Sequence, residues 1–127
     1  MNKTLHTYHY KGLLTLESGR TIQDFKMAYT TMGEISSNKD NVVWIFHAMT
    51  ANSDPSDWWA GMVGEGKFFD PCRYFIICVN MPGSYYGSVN PLDNDEETGM
   101  PFLQDFPFFT PMDMARSYEQ LRLSLGI

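Results

Sequence analysis

The sequence has few of the cysteine and histidine residues that, as disulfides or metal sites, stabilise chains with a small hydrophobic core. It contains two cysteines in 127 residues, too few for a disulfide framework. Cys78 lies inside the apolar run "YFIICVN", which predicts a buried free thiol; a bridge to Cys72 is the less favoured alternative in a cytosolic chain. His6 and His9 lie close together without acidic or thiol partners. We therefore predict no metal site.

Long hydrophobic runs and an excess of positive charge are also missing. No stretch approaches the ~20 apolar residues of a membrane span, and the opening "MNKTLHTYHYKG" lacks the apolar segment of a secretory signal. The net charge is −6 with a pI near 4.8, so the chain lacks the excess of positive charge that binding to nucleic acid requires. We expect a cytoplasmic protein with no membrane or nucleic-acid partner.

The composition instead favours a packed core. Hydrophobic residues make up 43% and aromatic residues 15% of the chain, and the length fits one ordinary domain. The segment "LLTLESGRTIQDFKMAYTTMG" alternates apolar and polar residues on both sides of "SGR". It predicts strands near residues 13–18 and 24–31, and the short turn between them predicts that they pair antiparallel. The residues that precede them are expected to be a mobile terminus.

Two further runs are apolar throughout, which is typical of strands covered on both faces. They predict strands near residues 42–46 and 74–79, with a short helix at "DWWAGMVG" between them, and so a parallel pair. Pro111 opens an amphipathic segment that predicts a helix near 112–125, with Gly126 as its C-cap. The pattern indicates an α/β class with a mixed sheet. It reads as the first part of a larger α/β domain.

Several motifs together resemble one family. They are "LESGRTIQDFKMAYTTMGE", "HAMTANS", "WWAGMVGEGKFFDPCRYFIICVN", "YYGSVNP", "ETGMPF" and "DFPFFTPMDMARS". The chain resembles the amino-terminal third of the homoserine O-acyltransferases, chiefly homoserine O-acetyltransferase. The resemblance implies an α/β-hydrolase fold, with a leading antiparallel hairpin followed by parallel strands and crossover helices. Residues 1–127 would be the amino-terminal part of a single such domain, ending before the nucleophile elbow.

The resemblance also implies a reaction. In this family a serine takes an acetyl group from acetyl-CoA and passes it to homoserine, a step of methionine biosynthesis, and an aspartate and a histidine complete the triad. It implies no bound cofactor, acetyl-CoA and homoserine as small-molecule substrates, and a homodimer for the full-length enzyme. None of the three triad residues has a position in this chain, so we expect the 127 residues alone to be inactive.

The motif after the third predicted strand carries the implied site. The family's oxyanion loop falls on "HAMT", which makes the backbone N–H of Met49 the implied oxyanion donor. The pocket loop is expected to continue through Thr50, Ala51 and Asn52. Trp59 is a candidate pocket wall, although one of the paired indoles, Trp58 or Trp59, is as readily a core residue. His47 is expected to pack at the strand end and is not proposed as the catalytic base.

Departures from the family pattern leave the chemistry open. Ala51 stands where the family has glycine, and Gly83, Ser84 and Tyr85 replace a loop that usually ends in cysteine. The acyl group (acetyl or succinyl) and the acceptor (homoserine or another hydroxy amino acid) therefore stay undecided. Two other functions remain: an esterase-like hydrolase of the same fold, and a non-catalytic binding chain. "GSYYGS" lacks the G-x-S-x-G pattern and is interpreted as a glycine-rich loop.

Overall fold

A computed structural model describes residues 2–127 as a mixed sheet with helices on its two faces. The strands are β1 Lys3–His9, β2 Leu13–Thr15, β3 Thr21–Gln23, β4 Lys26–Met32, β5 Val42–Ile45 and β6 Phe75–Val79. The helices are α1 Pro55–Trp58 and α2 Pro111–Leu125, with a 3-10 turn at Leu103–Asp105. The main sheet has the order β1-β4-β6-β5. Strand β4 runs antiparallel to β1 and β6, whereas β5 runs parallel to β6, which confirms the predicted parallel pair.

The predicted pairing of the leading hairpin is wrong. Strand β2 pairs with β3 in a separate two-stranded sheet, and β4 pairs with β1 instead. The cause is local: Asp24 has φ 48°, outside the strand region, and its carboxylate accepts the N–H of Gly12 at 2.7 Å. This turn separates Thr21–Gln23 from Lys26–Met32 and redirects the chain to a different partner.

The expectation of a mobile amino terminus is also wrong for the described residues. Strand β1 forms a seven-residue antiparallel ladder with β4, from Lys3 opposite Met32 to His9 opposite Lys26. Its side chains are mostly exposed, with Leu5 66% accessible, so its apolar pattern is weak. Backbone hydrogen bonds rather than burial hold it, and such a strand leaves little trace in a sequence.

The two predicted helices had different outcomes. The short helix lies at Pro55–Trp58, ahead of the predicted "DWWAGMVG", because Pro55 occupies its first turn. Helix α2 confirms the prediction. Thr110 and Asp113 form a reciprocal capping box, and Gly126 closes the helix at φ 71°.

The sheet buries a hydrophobic cluster on each face. Alternate residues of β6 point to opposite sides, so Ile77 packs toward α2 while Ile76 packs toward the segment that follows α1. The α2 side holds the larger cluster, which includes Tyr118 and Leu121. Within residues 2–127 no helix has the length and apolar character needed to span a bilayer.

Candidate active-site groove

A large apolar cavity lies where β5 and β6 end and α2 begins, and it has a volume of about 840 Å³. This is the edge of an open α/β sheet at which ligands usually bind. Its walls are mostly hydrophobic side chains, including Phe46, Met49, Met81, Phe108, Met114 and Tyr118. Phe46 and Phe108 are 66% and 73% exposed, so the cavity is an open groove.

Met49 lies at the rim of this groove. Its side chain is 89% exposed, and its backbone N–H makes no hydrogen bond to any residue of the described part of the chain. Met49 lies within a turn that runs from Ala48 to Ala51. The N–H of Ala51 donates to the carbonyl of Ala48 at 2.9 Å and closes this turn. A backbone donor free of partners beside an apolar groove is the arrangement that stabilisation of an oxyanion requires.

His47 is buried directly beneath this turn, with 3% of its surface exposed. Its Nδ1 lies 2.7 Å from the carbonyl oxygen of Ala48, and its Nε2 lies 3.0 Å from the backbone nitrogen of Met81. Both ring nitrogens are therefore occupied, and neither is free to act as a base. The structure confirms the packed strand-end histidine that the sequence predicted.

A buried polar network fixes the far end of the same loop. The Asn80 side chain accepts the N–H of Ser53 at 2.8 Å and donates to the Ser53 hydroxyl at 2.9 Å. The Ser53 hydroxyl also lies 2.7 Å from that of Thr30, and Ser88 donates to the Asn80 carbonyl at 2.6 Å. Because the polar groups are buried and paired, the loop is held at both ends.

The other predicted loop residues lie away from the groove. Asn52 turns toward α1: its side chain accepts the N–H of Asp54, and its carbonyl accepts the indole N–H of Trp58 at 2.8 Å. Thr50 and Ala51 do not line the groove either. Ala51 has a negative φ, so the backbone does not require the glycine that the family has there. Among the five predicted site residues only Met49 faces the cavity.

Trp59 lies on the opposite face of the sheet. Its ring stacks on Trp58 at 6.0 Å with an interplanar angle of 6°, and it also contacts Phe69 at 5.8 Å. Trp58 packs against the smaller hydrophobic cluster, as the core alternative predicted. The geometry gives no support to Trp59 as a wall of this groove, and that role stays a prediction.

The cysteines supply no nucleophile to the site. Both are free, as predicted for Cys78, and burial raises the pKa of the Cys78 thiol to about 12. The thiol therefore stays protonated at neutral pH and cannot attack an acyl group. Residues 2–127 also contain no group of three or more His, Cys, Asp or Glu side chains arranged to hold a metal ion.

Sequence reasoning did not find most of the groove. Met81, Phe108, Met114 and Tyr118 come from three segments that only the folded chain brings together. A signal was available for one buried residue: Asn80 directly follows the apolar strand β6, and an amide at that position indicates a polar anchor. The aromatic segment "FPFF" gave no such indication, because aromatic residues more often fill cores.

The chain matches homoserine O-acetyltransferases along nearly all of its length. It is 44% identical to the homoserine O-acetyltransferase of Cyclobacterium marinum over 98% of this chain and 35% of the relative. It is 45% identical to that of Saccharomyces cerevisiae over 90% of this chain and 24% of the relative. The chain therefore spans about a third or less of the curated relatives it matches. No family model matches it.

Solved structures of similar shape include an esterase and a homoserine O-acetyltransferase. The homoserine O-acetyltransferase of Bacillus anthracis superposes with a TM-score of 0.84 at 30% identity, over 100% of this chain and 38% of that one. Esterase E22 superposes with a TM-score of 0.85 at 25% identity, over 99% of this chain and 38% of that one. These neighbours confirm the predicted α/β-hydrolase fold, of which the chain forms a part.

Proposed function

Because the chain is a homologue of homoserine O-acetyltransferases and has the α/β-hydrolase fold, we propose that its protein transfers an acetyl group from acetyl-CoA to L-homoserine. The observation that carries this proposal is the unpartnered N–H of Met49 at the rim of an apolar groove. The chain's share of the reaction is to hold that donor in place.

The proposed reaction has two halves. A serine of the protein, outside residues 1–127, attacks the thioester carbonyl of acetyl-CoA, and the negative charge that develops on the carbonyl oxygen is stabilised by the N–H of Met49. The thiol of CoA leaves. The homoserine hydroxyl then attacks the acetyl-serine through a second tetrahedral intermediate at the same donor, and the serine is released.

The groove contributes two physical effects to this chemistry. Once substrate covers its exposed apolar walls, such as Phe46 and Phe108, water is excluded and the local polarity falls, which strengthens a hydrogen bond to a developing charge. The fixed turn at Ala48–Ala51 keeps the donor in position before reaction, so little reorganisation is needed as the charge forms. One such donor accounts for about 3 kcal/mol of barrier.

The remaining parts of the proposal follow from the family. Acetyl-CoA and homoserine are substrates and no cofactor is bound; the protein is cytoplasmic, binds neither membrane nor nucleic acid, and forms a homodimer at full length. The likeness to the homoserine O-acetyltransferases of two organisms supports the acetyl donor over a succinyl donor.

An esterase is the second candidate. The similarity to esterase E22 favours it. In an esterase, water rather than homoserine would take the acyl group from the serine. The two candidates use the same oxyanion donor and differ in the acceptor.

Steady-state assays of the complete gene product separate these functions. CoA release from acetyl-CoA should require homoserine and yield O-acetyl-homoserine. Release that is equally fast without homoserine would identify a hydrolase. A gene product whose reading frame ends at Ile127, or one that releases no CoA with either acceptor, would overturn the proposal in favour of a non-catalytic chain.

A further inference from the structure

His47 contacts two different segments of the backbone with its two ring nitrogens. Nδ1 lies 2.7 Å from the carbonyl oxygen of Ala48, and Nε2 lies 3.0 Å from the nitrogen of Met81. A carbonyl oxygen can only accept a hydrogen bond, and a backbone N–H can only donate one. The ring must therefore carry its proton on Nδ1 and leave Nε2 bare. The two contacts together define one neutral tautomer.

The same contact fixes the direction of the Met49 N–H. Ala48 and Met49 share one planar peptide, in which a trans arrangement points the carbonyl and the N–H in opposite directions. The Ala48 carbonyl is held from the protein side by His47 Nδ1 and by the N–H of Ala51 at 2.9 Å. The N–H of Met49 is consequently turned away from the buried histidine, and it has no partner among the described residues.

We propose that His47, as its Nδ1-protonated neutral tautomer, is the positioning residue that orients the Ala48–Met49 peptide toward the groove. The ring acts through the backbone and touches no reacting atom. Its second bond ties Met81, another residue of the groove wall, to the same ring. Because the ring bridges two loops at the carboxyl ends of β5 and β6, it sets their separation as well as the peptide plane. This inference rests on the proposed function only in its kinetic consequences.

Two substitutions divide the roles of the two nitrogens. In His47→Asn the short amide can still donate to the Ala48 carbonyl but falls short of Met81. In His47→Gln the longer amide can still accept from Met81 but no longer holds the Ala48 carbonyl. Each variant loses one hydrogen bond, so similar losses of melting temperature are expected. A purely structural histidine would then give two variants with equal activity.

NMR of the complete gene product tests the geometry without any assay, with magic-angle spinning as the method if its size broadens the signals. With ¹⁵N-labelled histidine, we expect the His47 ring to carry its proton on Nδ1, and Nε2 to show scalar coupling to the Met81 amide nitrogen. The Ala48 carbonyl and Met49 amide resonances should move in His47→Gln and stay near their wild-type positions in His47→Asn. A ring protonated on Nε2, or the opposite pattern of shifts, would overturn the proposal.

The kinetic arm uses the complete gene product. We expect His47→Gln to lower kcat/KM for acetyl-CoA on the order of 10-fold, while His47→Asn stays within about 3-fold of wild type. His6→Gln is the matched control. His6 lies on β1, away from the groove, and its Nε2 is 2.8 Å from the hydroxyl of Thr31 on β4. Equal losses in the two His47 variants would contradict positioning through Ala48. A wild-type product without acyl transfer would refute the proposed function, and the NMR result would still decide the orientation of the peptide.

Discussion

Strands β5 and β6 lie side by side in the sheet but have very different surroundings. All five residues of β6 are buried, and the strand pairs with β4 on one side and β5 on the other. Only Ile45 of the four β5 residues is buried, and within the described chain β5 pairs with β6 alone. The fold is thus complete around β6 and open along β5. The candidate site lies on the open side, because the turn that carries Met49 follows β5.

The contrast extends to most of the polar groups; the exception among the described residues is Ser84, in the loop after β6, whose buried hydroxyl has no partner. Near β6, Asn80 and its buried partners are all hydrogen-bonded. Near the β5 edge, neither the buried indole Nε1 of Trp44 nor the N–H of Met49 has a hydrogen-bond partner among residues 2–127. One region stabilises the chain, and the other leaves a donor available for chemistry. An open apolar edge of this kind is an aggregation hazard for the isolated chain unless another chain covers it.

The largest effect is expected from truncating the paired residues Ile76 and Val43, which face each other across β6 and β5. Ile76 is fully buried, so Ile76→Ala should lower the free energy of unfolding by about 4 kcal/mol. Val43 is half-buried, and Val43→Ala should cost about 1 kcal/mol. Urea unfolding measures both. Equal losses would mean that β5 is as fully packed as β6.

A second change acts on the open side without touching the core. In the complete gene product, Met49→Pro removes the backbone N–H and should lower the acyl-transfer rate about 100-fold or more. Met49→Ala is the control, since it keeps the N–H and alters only an exposed side chain, and its rate should change modestly. Normal turnover in Met49→Pro with an unchanged melting temperature would rule out this donor.

Asp113, at the start of α2, should make the stability of the fold depend on pH. Burial alone would raise the pKa of Asp113, but hydrogen bonds from the N–H groups of Thr110 and Glu17 outweigh it, and the pKa is lowered. A lowered pKa contributes stability that is complete above the pKa of an unfolded aspartate, about 4, and is lost as pH falls below it. Asp113→Asn should flatten this part of the stability curve. A wild-type curve that is already flat between pH 5 and about 2 would contradict the assignment.

The smallest effect is expected at Trp44. Trp44→Phe removes a buried donor that has no partner within residues 2–127, so the gain should largely offset the lost indole contacts with Tyr118. Stability should change by less than about 1 kcal/mol. Trp58→Phe is the matched comparison. It abolishes a real bond to the Asn52 carbonyl at 2.8 Å and should cost about 1–2 kcal/mol. Thermal melts of the two variants measure these losses. A loss in Trp44→Phe as large as that in Trp58→Phe would mean that the Trp44 indole has a partner.

The sequence predicted the parts of the fold that depend on burial. The runs that became β5 and β6 and the capped helix α2 carry strong apolar patterns, and each was found close to its predicted position. Strand β1 was missed, because an exposed edge strand is held by backbone bonds that any residue type can make. The hairpin was mispaired, because a single positive φ at Asp24 redirects the chain and leaves no hydrophobic signal.

Of the candidate site, only the residue proposed to act through its backbone was predictable. Met49 was found through the loop motif, and the structure places it on the groove. Asn52 and Trp59 are near it in sequence but turn toward α1 and the opposite face, since their own hydrogen bonds and stacking decide their directions. The aromatic wall required three distant segments to meet. No local pattern contains that information.

The proposed division of roles is tested most directly by locating the acyl group on the complete gene product. The complete gene product is incubated with acetyl-CoA without homoserine, digested and mapped by mass spectrometry. We expect an acetyl group on a serine outside residues 1–127 and none within them, because the proposed function assigns these residues the oxyanion donor and not the nucleophile. An acetyl group on Ser84 or Ser88, transferred to homoserine when it is added, would contradict it.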